Sequence, residues 1–111
     1  MFSFPDPVLL CLTDPTRRAL YERLARHGEQ TVWMLTARAG ISQPAVSRHL
    51  KRLEKAGLVQ GRHEGRETLY RIEPRGLDVL VDWIARYSAV WREKLDSLEE
   101  GPDSTGQSPV S

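Results

Sequence analysis

The sequence predicts a mainly α-helical domain carrying a single β-hairpin, on three observations. Two short helical patterns are separated by Gly40-Ile41, and the second has one apolar seam opposite a cationic face. An extended, alternating stretch then folds back at Glu64-Gly65-Arg66, and a long helical pattern with two apolar stripes closes the chain.

The 111 residues, 40% of them hydrophobic, suffice for one modest core, so a single domain over residues 1–100 is expected. Residues 101–111 mix Gly, Pro, Ser, Asp and Gln without large apolar groups and read as a disordered tail. No apolar run reaches the roughly 20 residues of a membrane span, and Met1 to Leu12 has no basic start or cleavage site of a secretory leader. The expectation is a soluble cytoplasmic protein without a membrane partner. One cysteine, Cys11, rules out an intramolecular disulfide and a thiolate-cluster zinc site, and reads as a small buried hydrophobe.

Charge is segregated along the chain. Ser42 to Arg75 holds eight Lys/Arg against four Asp/Glu, whereas Gly76 to Ser111 holds three against seven. The middle third therefore suits a polyanionic partner.

Taken in order, Val8, Leu9 and Leu12 suggest a short helix between Pro7 and Thr13. Asp14-Pro15 supplies an N-cap and a first-turn proline for a helix that ends at Gly28, with Ala19, Leu20, Leu24 and Ala25 as its apolar stripe. A shorter helix begins at Thr31, turns Val32 and Leu35 inward and stops at Gly40. The next runs from Ser42 to Gly57. At about 100° per residue, Val46, Leu50, Leu53 and Gly57 form its buried seam. Pro44, Arg48, Lys51, Arg52 and Lys55 occupy the opposite face, flanked by Gln43 and Ser47, with Glu54 at the edge. Leu58 and Val59 open the hairpin, whose second strand alternates Thr68, Tyr70 and Ile72 with Leu69 and Arg71; Arg62 and Arg66 lie near its tip.

The last helix, from Leu77 to Leu98, spans about 33 Å. Leu77, Leu80, Ile84, Tyr87, Trp91, Leu95 and Leu98 line one side, and Val79, Trp83 and Val90 form a second stripe. So small a domain cannot cover both. One face is expected to pack on the chain itself and the other on a second subunit.

A helix, a tight turn and a second helix capped by Ser42 make a helix-turn-helix, and the hairpin after it makes a wing. Gln43, Ser47 and Arg48 are the candidates for reading base edges, since glutamine suits adenine and arginine suits guanine. Lys51, Arg52, Arg62 and Arg66 suit phosphate. His49 is either close to DNA or a helix-edge packing residue.

Leu12-Thr-Asp-Pro-Thr-Arg17-Arg, the run Gly40-Ile-Ser-Gln-Pro-Ala-Val-Ser-Arg-His-Leu-Lys-Arg-Leu-Glu-Lys-Ala-Gly-Leu-Val59, and Glu64-Gly-Arg with Tyr70-Arg-Ile72 resemble the ArsR/SmtB family of winged helix-turn-helix regulators. The resemblance implies a homodimeric repressor of a palindromic operator, with double-stranded DNA and a second copy of the chain as partners and room for an unassigned effector. It places Ser42, Gln43, Pro44, Ser47, Arg48, His49, Lys51, Arg52, Arg62 and Arg66 at DNA. It also makes the terminal helices the dimerisation elements, through Val8, Leu9 and Leu12 of the first and Leu80, Ile84, Tyr87, Trp91 and Leu95 of the last.

The metal-sensing members' cysteine pair is missing from Thr31 to Ala39, the last helix has no histidine, and His27, His49 and His63 are dispersed. No metal, cofactor or catalytic group is expected. Trp33, Trp83, Tyr87 and Trp91 read as core or interface. The competing reading is a winged-helix protein-interaction module that does not read DNA.

Overall fold

The computed structural model describes residues 6–100; the segment read as a disordered tail, residues 101–111, lies outside them. Five helices and three strands follow in order: α1 (Asp6–Leu12), α2 (Pro15–His27), β1 (Gln30–Thr31), α3 (Val32–Ala39), α4 (Gln43–Lys55), β2 (Val59–Glu64), β3 (Glu67–Ile72) and α5 (Asp78–Glu100). The mainly helical fold with a hairpin wing is thus present.

Each internal helix starts on a side-chain cap. Asp14 accepts from the Arg17 amide at 3.0 Å, Thr31 from Met34 at 2.9 Å, and Ser42 from Ala45 at 3.3 Å. Gly40 ends α3 in the left-handed region, φ 73°, which reverses the chain within two residues and lets Ile41 pack against the core.

The antiparallel sheet has the order β1-β3-β2. Its hairpin register, from Val59 opposite Ile72 to Glu64 opposite Glu67, leaves the two-residue turn Gly65-Arg66. Gly65 has φ 62°, and no non-glycine residue among those described has positive φ, the pattern of a II′ turn. Strand β1 is a departure from the sequence reading, which has helix or loop there. Gln30 and Thr31 pair with Tyr70 and Leu69, so the sheet gains a third strand that also leads into α3.

The core draws on α1 to α4 and the sheet: Val8, Cys11, Leu20, Leu24, Val32, Leu35, Val46, Leu50, Leu53, Leu58, Val59 and Tyr70. Cys11 is buried as expected. In α2 the buried stripe is narrower than its alanines suggest, with Leu20 and Leu24 inside and Ala19 and Ala25 exposed. Gly57 leaves the seam of α4. The helix stops at Lys55, the Gly57 amide bonds the Glu54 carbonyl, and Leu58 takes the next buried place.

The terminal helices need two corrections. Val8 is buried in the core of its own chain, while Leu10 is 69% exposed, so α1 turns a different residue outward. In α5 neither stripe is covered. Only Leu77, just before it, and Leu80 pack against the core, and Val81, Ile84, Val90, Trp91 and Leu98 stand exposed. A helix of 23 residues is about 34 Å long and soon leaves so small a domain behind. Among the described residues, no helix is long and apolar enough to cross a membrane.

Candidate nucleic-acid interface

Helix α4 is held rigidly because its seam is shut: Val46, Leu50 and Leu53 are fully buried. That fixes the opposite face outward. Gln43, Pro44, Arg48, Lys51, Arg52 and Lys55 are all exposed, with Ser47 partly so.

Two depressions join this face to the wing. The first, about 190 Å³, is bounded by Gln43 and Ser47 of α4, Thr31 and Trp33 at the start of α3, and Arg66 and Thr68 of the hairpin. The second, about 170 Å³, is bounded by Ser47, Lys51 and Glu54 on one side and Gly61, His63 and Thr68 on the other. Ser47 and Thr68 line both, so Gln43, Ser47, Lys51 and Arg66 share one concave surface. Glu54, the single acid of α4, accepts from the Gly61 amide at 3.2 Å. Its carboxylate ties the wing to the helix and leaves the outer face to the cations. Among the described residues, no ion pair or hydrogen bond engages the side chains of Arg48, Lys51, Lys55 or Arg66. Their charge is available to an incoming polyanion.

The other predicted site residues sit elsewhere. Ser42 is exposed, with its hydroxyl engaged as the cap of α4. His49 faces the junction of α1 and α2, where its Nδ1 accepts from Arg17 Nε at 3.3 Å. Arg17 also donates to the Cys11 carbonyl at 3.2 Å and lies 3.6 Å from Asp14. Of the two sequence readings of His49, the helix-edge one describes this placement. The hydrogen bond from the Arg17 amide, helped by the Arg17 charge, holds the Asp14 carboxyl below its ordinary range. Arg52 lies on the same flank, beside Pro7, Leu10, Cys11 and Lys55.

Arg62 does not join the concave surface. Gly61 and His63 face α4, so strand alternation sends Arg62 to the other side of the sheet. There it donates to Glu29 at 2.8 and 3.0 Å and to Glu64 at 3.4 Å. The Arg62 hydrogen bond lowers the Glu29 carboxyl below its usual range, and the two acids raise the Arg62 guanidinium. With two carboxylates already on it, Arg62 carries little free charge for phosphate.

The sequence reading of Trp33 as core or interface does not place it at this surface. It is 71% exposed at the first turn of α3, against the pocket shared by Gln43 and Arg66. The signal was present in the helical pattern, since Trp33 lies about 100° from Val32 and off the Val32–Leu35 stripe.

Comparison with known proteins gives the family and the fold. A helix-turn-helix domain model matches residues 12–62. The chain is 40% identical over 105 residues to the HTH-type transcriptional regulator Rv2034 of Mycobacterium tuberculosis, covering 95% of this chain and 94% of that protein. It is 33% identical over 114 residues to the arsenic resistance transcriptional regulator ArsR1 of Pseudomonas putida, covering 96% and 86%. Among solved structures, an ArsR-like transcriptional regulator from Rhodococcus sp. RHA1 superposes with a TM-score of 0.72 at 29% identity, over 86% of this chain and 90% of the other. The homodimeric winged helix-turn-helix DNA-binding domain Mb0332 of Mycobacterium bovis gives 0.59 at 30% identity, over 86% and 79%.

Proposed function

The chain belongs to the ArsR family of winged helix-turn-helix transcriptional regulators, and on that premise we propose that it is a homodimeric repressor that reads a palindromic operator and does not respond to metals. The observation that carries the reading is the unpaired cationic and amide surface of α4 joined to the wing. Gln43, Ser47 and Arg48 present hydrogen-bonding groups on the first two turns of a helix pinned by a closed seam, the part of a recognition helix that meets base edges. Lys51 and Arg66 flank them for phosphate. Arg62 has no part in this account.

Dimerisation rests on the uncovered terminal helices. Leu10 of α1 and Ile84, Tyr87, Trp91 and Leu98 of α5 leave large apolar side chains in water that a second copy would cover. A similar structure, Mb0332, is homodimeric. A dimer with two-fold symmetry would read a palindrome whose half-sites lie about one helical turn apart, roughly 34 Å.

Ligand count speaks against metal control. Soft-metal sites need several convergent sulfur or nitrogen ligands, and the sequence supplies a single thiol, which lies in the core. Histidines 27, 49 and 63 fall on α2, α4 and β2.

The test is binding of labelled duplex across a salt series. Affinity for random duplex should fall steeply as salt rises, because each phosphate neutralised releases counterions. No binding to any duplex at low salt would overturn the reading and favour a protein-interaction module.

A further inference from the structure

A third surface lies apart from both α4 with its wing and the terminal helices. Between α2 and α3 runs a groove of about 510 Å³ whose lining includes Arg23, Arg26, His27 and Arg38, with Glu22 as its single acid. Ala19 and Ala39, lying over the buried Leu20 and Leu35, give it an apolar floor. Its volume falls within the range of small-molecule sites, about 300–1,000 Å³.

Two features mark it as more than a solvated basic face. Among the described residues, none of these three arginines has an ion-pair or hydrogen-bond partner, whereas Arg17, Arg18, Arg62 and Arg71 all do. In addition, Arg23 Nε is sealed from solvent with no acceptor. A buried donor left unmatched is costly, and the cost is larger for a charged group, so a small movement of Arg23 toward an oxyanion in the groove would relieve it.

The groove does not face the nucleic-acid surface. On α3, Trp33 points into the concavity shared by Gln43 and Arg66, while Arg38 lies about 140° further round the helix, on the side of α2. No residue of α4, the wing, α1 or α5 lines it.

We propose that the α2–α3 groove binds a small phosphate-bearing molecule, with Arg23, Arg26 and Arg38 gripping the phosphate and the organic part resting on Ala19 and Ala39. Planar guanidinium forks match phosphate oxygens, and the apolar floor gives no place to a second charge. One wall of the groove is α3, the first helix of the helix-turn-helix, so occupancy couples to the placement of α4. That coupling rests on the DNA-binding reading; the anion site does not.

The test titrates the DNA-free protein with inorganic phosphate, pyrophosphate and AMP at constant ionic strength, following backbone amides by NMR. Saturable shifts should concentrate in α2 and α3, with AMP the tightest of the three. Arg38→Gln, an exposed change that leaves the core alone, should weaken binding about tenfold, and adding Arg23→Gln should weaken it further. Shifts spread over every basic surface, or centred on α4 and the wing as for a mimic of the DNA backbone, would overturn the site. So would affinity unchanged in Arg38→Gln. In a second arm, saturating AMP should change duplex affinity in the wild type and not in the double variant. An unchanged affinity overturns the coupling, whereas a wild type that binds no duplex at all overturns the DNA reading and leaves the anion titration standing.

Discussion

Replacing Trp91 with glutamate should convert the dimer to a folded monomer. Trp91 is 62% exposed in the single chain, near the middle of the uncovered stripe of α5. A buried tryptophan removes about 150–250 Å² from water, so the exposed part of this one amounts to roughly 100–150 Å². At ~25 cal/mol per Å² its burial contributes about 2.5–4 kcal/mol per protomer, and two-fold symmetry doubles that to about 5–8 kcal/mol. With 1.4 kcal/mol per factor of ten, the dissociation constant should rise by roughly four to six powers of ten, before the cost of burying a carboxylate is added. A dimer of nanomolar affinity then becomes monomeric at micromolar concentration. Sedimentation velocity reads the mass, and circular dichroism shows that the helices persist, because Trp91 contributes nothing to the core of its own chain. A folded Trp91→Glu protein that remains dimeric at micromolar concentration would refute the assignment of α5 to the interface.

The other predictions concern the site, the core and the wing. Arg48→Ala should lose about 1–3 kcal/mol at one base position and narrow the gap between operator and random duplex, while Arg66→Ala should weaken both alike and reduce the salt slope by about one; affinities of both variants on both duplexes at several salt concentrations decide it. Leu50→Ala, at a fully buried seam position, should cost about 2–5 kcal/mol in denaturant unfolding, and a loss near zero would mean that α4 is not pinned as described. The Glu29–Arg62 pair should add stability above the ordinary carboxylate range and lose it as the pH falls through the lowered Glu29 titration, because a carboxyl depressed by folding binds its proton more readily in the unfolded chain. NMR titration should show Glu29 returning toward its usual range in Arg62→Ala. Stoichiometric zinc, cadmium or arsenite should leave operator affinity unchanged, and operator release on metal addition would contradict the ligand count.

Much of the site was legible because it obeys local rules. Ser42 and Gly40 bracket the turn by capping and left-handed backbone, and the seam of α4 follows from helical spacing alone, so Gln43, Ser47, Arg48 and Lys51 could be placed outward before any tertiary contact was known. What was not legible depends on contacts distant in sequence. Strand β1 is two residues long and exists only because Gln30 meets Tyr70, 40 positions away. Arg62 looked like a wing-tip cation, yet its role is set by strand parity and by Glu29 on another element. In α1 the run Val8-Leu-Leu-Cys-Leu12 is apolar on every side, so periodicity could not decide that Val8 turns inward and Leu10 outward. For α5 helical spacing gives the apolar positions, but how little of the helix the domain could reach was a question of lengths in three dimensions.

The most direct test of the central claim is selection of bound sequences from a random duplex pool by the wild-type protein. The account predicts enrichment of an inverted repeat whose half-sites are centred about one helical turn apart, with the enrichment lost at one base position in each half-site for Arg48→Ala. A pool that binds at low salt and remains random after repeated rounds would contradict sequence-specific reading by α4.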